Sequence, residues 1–112
     1  MAAEKPALDL LHGTLDMLIL KVVAAGPLHG YAIAKRIKVA SKDALAIEEG
    51  SLYPALNRML LKGWLAAEWG VSESNRKARF YRLTPAGRKQ LSEETAEFNR
   101  LIAAIGLVMK EA

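Results

Sequence analysis

The stretch Glu48–Trp64, EEGSLYPALNRMLLKGW, decides how the rest of the chain is read. Leu52, Leu56, Met59 and Leu60 recur on one helical face, and Gly63 is a common stop signal just beyond. The same stretch opens on Gly50 and Ser51 and carries Pro54 only three residues further in. Proline is tolerated in a first turn, where the N–H it lacks would have no intrahelical partner. The spacing therefore predicts a helix that starts near Ser51 and runs to Lys62. With the leucine face buried, Ser51, Asn57, Arg58 and Lys62 point outward and Tyr53 lies on the flank. Asn and Arg can hydrogen-bond a base edge at two points, and Ser and Tyr hydroxyls reach phosphates or bases. A pinned start followed by short polar groups suits a helix whose N-terminal end enters a major groove. An ordinary amphipathic surface helix shows much of the same pattern.

The flanking segments supply the context. Upstream, Thr14 to Ala25 is apolar at 15, 18, 19, 22 and 23, the spacing of an amphipathic helix closed by Gly26-Pro27. Met17, Leu20 and Ala24 form a second apolar row, so this helix has two surfaces to cover. Gly30 to about Ser41 reads as another helix with Ile33, Ile37 and Ala40 inward. On its far side Lys35, Lys38 and Lys42 form a stripe that fits either a solvated face or a polyanion. ALAIEEG alternates loosely and predicts a short strand. Downstream, Trp64–Val71 and Arg76–Leu83 flank the polar tetrad Ser72-Glu73-Ser74-Asn75, a hairpin signature whose second arm carries Arg76, Lys77, Arg79 and Arg82. Thr84-Pro85 then supplies an N-cap and a first-turn proline.

In the final helix Leu91, Phe98 and Ile105 repeat at seven residues, with Leu101 and Val108 three residues after the last two. The seam is spoiled by Glu94 but is otherwise close to a coiled-coil stripe. So small a domain cannot cover it alone. Packing against a second copy, with Leu15, Met17 and Leu20 of the first helix's spare row, would bury both surfaces.

At 112 residues the chain is one domain with a modest core. Hydrophobic residues at 52% and charged residues at 25% exclude a disordered or low-complexity polymer. The absence of cysteine excludes disulfides and thiolate metal sites. Acidic residues in MAAEKPALDLLHG, and Asp16 and Lys21 interrupting the apolar run, argue against a signal peptide or membrane span and for a cytoplasmic, nucleoid-associated protein. The formal charge is +4, yet residues 29–90 hold twelve Lys or Arg against five acids, a local surplus of seven. That concentration suits a polyanion partner. His12 and His29 sit beside glycines with no third ligand at metal spacing, so turn or capping roles are expected, no cofactor is implied, and nothing marks an enzyme. Trp64 and Trp69 are candidates for a flat-ligand pocket, although aromatics beginning a strand are more often core.

The order is helix, helix, short strand, helix, hairpin, long helix: mainly α with a small β-hairpin, a winged helix-turn-helix with a C-terminal dimerisation helix. The expected division is an extension at 1–12, the DNA-binding unit at 13–84 and the dimerisation helix at 85–112. GTLDMLILKVVAAGPLHGYAIAKRI, EEGSLYPALNRMLLKGWLAAEWG and SNRKARFYRLTPAGRKQL resemble the PadR-like family of prokaryotic transcriptional regulators over about residues 11–91. The resemblance implies a homodimer on a palindromic operator, usually a repressor, and release of DNA by a small aromatic ligand near the dimer interface. It places Ser51, Tyr53, Pro54 and Asn57 in the recognition helix, Tyr31 beside the DNA-facing cleft, and Lys77 and Arg79 on the wing. Asn57 and Arg58 would set operator preference. The alternative is a winged-helix adaptor that contacts proteins and binds no DNA.

Overall fold

A computed structural model describes residues 13–111, so the expected extension at 1–12, with His12, lies outside the described residues. Four helices and three strands follow one another as α1 (Thr14–Val23), β1 (Leu28–His29), α2 (Gly30–Ala40), α3 (Glu49–Leu61), β2 (Leu65–Val71), β3 (Lys77–Leu83) and α4 (Pro85–Met109). The strands form one antiparallel sheet in the order β1-β3-β2. Ile19, Leu20 and Val23 of α1 meet Ile33 and Ile37 of α2, the Leu52, Ala55, Leu56 and Met59 face of α3, and Leu65 and Tyr81 of the hairpin. This is the winged helix-turn-helix core.

Three local expectations change. ALAIEEG forms no strand; Leu45 and Ile47 pack on the core from an irregular segment. The place at the sheet edge is taken by Leu28 and His29, which pair with Tyr81 and Phe80 directly after the Gly26-Pro27 break. Ala40 is exposed rather than inward, because α2 ends there. Finally, α3 begins at Glu49 with Glu48 as its cap, so Pro54 lies inside the helix and does not mark its first turn. The proline deprives the Gly50 carbonyl of its i+4 donor. Gly50 is exposed, which leaves that carbonyl open to water.

The joint between α3 and α4 is built from backbone. Gly63, at φ +76°, ends α3 in a Schellman turn: Trp64 N–H donates to the Met59 carbonyl and Gly63 N–H to that of Leu60, each at 3.0 Å. Thr84 caps α4 by accepting from Gly87 N–H at 3.0 Å, while its own hydroxyl donates back to the Gly63 carbonyl at 2.6 Å. Gly87 is buried at this joint, so close to the Trp64 carbonyl oxygen that an added Cβ would overlap it.

Candidate nucleic-acid interface

The alternation of the hairpin creates the site. Leu65, Ala67, Trp69 and Val71 share one face with their register partners Leu83, Tyr81, Arg79 and Lys77. The end of that face nearer α4 is core, with Leu65 and Tyr81 buried. Toward the tip the same face continues past the core, so Trp69, Lys77 and Arg79 line an open cleft of about 630 Å³ opposite Tyr31 of α2 and Tyr53 of α3. Lys77 Nζ stands 5.0 Å from the Trp69 ring centre, and the Arg79 guanidinium 5.9 Å from that of Tyr81. Aromatic faces thus hold the cations on the cleft wall. Arg76 and the hydroxyls of Ser72 and Ser74 continue the lining toward the hairpin tip, and among the described residues no Asp or Glu lines it. Such a surface offers cations and neutral donors to a polyanion.

The opposite wall is equally specific. Tyr53 lies across Gly30, where a Cβ would come within 2.7 Å of its hydroxyl, so the glycine at the start of α2 makes the seat for this ring. Burial pushes the Tyr53 phenol up, with the Glu49 carboxylate adding to the effect. The hydroxyl is therefore a protonated donor at neutral pH. His29 takes the capping role expected of it: Nδ1 accepts from Ala32 N–H at 3.3 Å, and its ring stands edge-on to Phe80 at 5.4 Å. Tyr31, 68% exposed, stacks beside it.

Of the expected contact residues, Lys35, Lys38, Ser51, Pro54 and Asn57 are exposed on α2 and α3, and Tyr31, Tyr53, Arg76, Lys77 and Arg79 meet in the cleft. Lys42 leaves the stripe, since α2 stops at Ala40 and Lys42 turns into a left-handed conformation at φ +53°. Arg58 departs further. Its guanidinium forms an ion pair with Asp16 of α1, a largely buried carboxylate, instead of pointing free beside Asn57. Leu61 is 90% exposed and continues the outward row Pro54, Asn57, Leu61 at i, i+3, i+7 spacing.

Comparison with known proteins decides what this arrangement belongs to. Residues 19–93 match the model of the transcriptional regulator PadR-like family. The chain belongs to the PadR-like family. It is 34% identical over 83 residues to a Mycobacterium tuberculosis transcriptional regulator, with 74% of each chain covered. Among solved structures, a transcriptional regulator from Clostridium thermocellum superposes with a TM-score of 0.80 at 28% identity, over 88% of this chain and 95% of that one. A PadR family regulator from Eggerthella lenta gives 0.75 at 32% identity, covering 89% and 85%. PadR-like proteins regulate transcription through DNA and are not enzymes.

In this PadR-like chain the two tryptophans part company. Trp69 is 66% exposed in the cleft, whereas Trp64 is half-buried against the core with Lys62 Nζ 4.7 Å from its ring centre. Trp64 is not among the described residues that line the cleft holding Trp69. The residues expected to join two copies also separate. Leu20 is wholly buried in its own core and has no surface to offer, and Leu15 and Leu91 pack partly against that core. Met17 and Phe98 are half-buried, while Leu101, Ile105 and Val108 stand exposed on α4 beside Ile102 and Met109. No helix among the described residues is long and apolar enough to cross a membrane, and no group of three or more acidic or histidine side chains among them could hold a metal ion.

Proposed function

We propose that this PadR-like regulator is a homodimeric repressor that reads a palindromic operator. Residues 13–84 serve as the DNA-binding unit and 85–112 join the copies. The observation that carries the reading is the carboxylate-free cleft between α3 and the wing, where Arg76, Lys77 and Arg79 face Tyr31 and Tyr53. In this reading the wing cations take phosphates, and Ser51 and Asn57, exposed on the recognition helix, meet base edges. Pairing of α4 through Leu101, Ile105 and Val108 sets the two recognition helices about one helical turn, roughly 10 base pairs, apart. The signal that lifts repression is taken to be a small aromatic molecule.

Selection of duplexes from a random pool by the purified protein tests this directly. The expected product is a palindrome, and Asn57→Ala should lower discrimination at one position of each half-site by about 1–3 kcal/mol. Equal losses on selected and random duplex for Asn57→Ala would remove its assigned role. A wild-type protein that prefers no duplex over heparin favours the adaptor instead.

A further inference from the structure

Arg58 sits on the recognition helix next to the outward-facing Asn57, where a cation would ordinarily be counted as a DNA contact. One residue along a helix is a rotation of about 100°. That step carries Arg58 round to the flank facing α1, where it meets Asp16 across 42 residues of sequence. Only 12% of the Asp16 side chain is exposed, against 47% of Arg58. Leaving so shielded a carboxylate without its cation is costly, more so than making the pair is favourable. The α3 helix therefore cannot rock away from α1 without exposing an unpaired charge. At the same C-terminal end the Schellman turn and Thr84 tie it to α4. A third helix borders the same pair: the Glu94 carboxyl of α4 lies within electrostatic reach of Asp16 and of Lys62.

Resting on the DNA-binding reading, we propose that Arg58 is a positioning residue, which touches no DNA and fixes, through Asp16, the angle at which the recognition helix is presented. Specificity then depends on a buried acid remote from the DNA. The proposal reverses the sign that simple electrostatics gives for Asp16. Removing a negative charge should strengthen binding to a polyanion, and if Arg58 were a DNA contact merely shared with Asp16, releasing it would strengthen binding further. A positioning pair requires Asp16→Asn to weaken it.

The test measures wild type, Asp16→Asn, Arg58→Met and the double variant by fluorescence anisotropy on the duplex selected by the wild type and on a scrambled duplex, across a salt series. The expected result is a loss of about tenfold or more on the selected duplex for each single variant. Little change is expected on the scrambled one, and the double variant should be no worse than the weaker single. The slope of log K against log salt should stay at the wild-type value for Arg58→Met. A drop of about 0.9 in that slope, the signature of one lost phosphate, overturns the proposal, as does tighter binding by Asp16→Asn. Thermal melts establish that each variant folds. Should Asp16→Asn not fold, Arg58→Met decides: a salt slope lower by about 0.9, or equal losses on the selected and scrambled duplexes, would sink the idea. If the wild type itself selects no duplex, the DNA reading fails and this proposal falls with it. Wild-type binding with the wrong sign for Asp16→Asn removes the proposal alone.

Discussion

Gly87 shows how much one missing methyl can decide. A Cβ at this position would overlap the Trp64 carbonyl oxygen and come within 2.8 Å of Leu83 Cδ1. Alanine would raise helix propensity by about 1 kcal/mol, but overpacking against an obstacle typically costs about 1–3 kcal/mol. Here the obstacle is backbone, and that carbonyl also accepts Thr84 N–H at 3.1 Å, so the steric cost wins. We expect Gly87→Ala to lower stability by about 1–2 kcal/mol and Gly50→Ala, where an added Cβ meets nothing within 4 Å, to raise it slightly. Melting temperatures moving in opposite directions would bear this out; equal shifts would refute the close packing at Trp64. The same scale explains Arg58. Its type and neighbours suggest DNA, and only a partner distant in sequence redirects it.

The wing and α4 each make sense only as whole elements. Strand alternation places Lys77 and Arg79 on the face that Leu65 and Tyr81 anchor, so the cations reach the cleft because the inner end of the face is fixed in the core. Lys77→Ala and Arg79→Ala should each weaken binding similarly on every duplex and flatten the salt slope by about 0.9, one phosphate apiece. A sequence-selective loss would instead make them base readers. On α4, Leu101, Ile105 and Val108 stand exposed among the described residues. On the proposed pairing through α4, the wild type should sediment as a dimer at micromolar concentration and Ile105→Glu as a monomer of unchanged helix content. An unchanged sedimentation coefficient would place the dimer contact elsewhere.

Across the whole molecule, α1, α3 and α4 converge on one electrostatic node. Burial, reinforced by the Asp16 charge, pushes the Glu94 carboxyl above its ordinary range, with the Gln90 amide and Lys62 opposing. Among the described residues its Oε2 has no hydrogen-bond partner. A carboxyl whose folded pKa is raised binds its proton more tightly in the native state. Its favourable contribution is complete below the unfolded value near 4.3 and is lost as pH rises through the folded value. Glu94→Gln should therefore melt close to wild type near pH 4 and progressively above it toward pH 7. A difference in melting temperature that is constant with pH would dissociate Glu94 from the titration.

Helix identities, the hairpin with its polar tip, the Thr84-Pro85 start and the basic middle were all legible from the amino acids alone, because each rests on local periodicity or on turn and capping chemistry within a few residues. The family resemblance drew on the same stretches. Pro54 was misread because a proline's tolerance inside a helix depends on whether the carbonyl it orphans can reach water, and β1 because two residues gain strand geometry only from Tyr81 and Phe80 across the sheet. Leu20 sits in the second apolar row of α1, yet the folded core buries it completely. Which cations face the cleft, which one is spent on Asp16, and which apolar residues remain for a partner are outcomes of packing between segments far apart in the chain, and no local pattern encodes them.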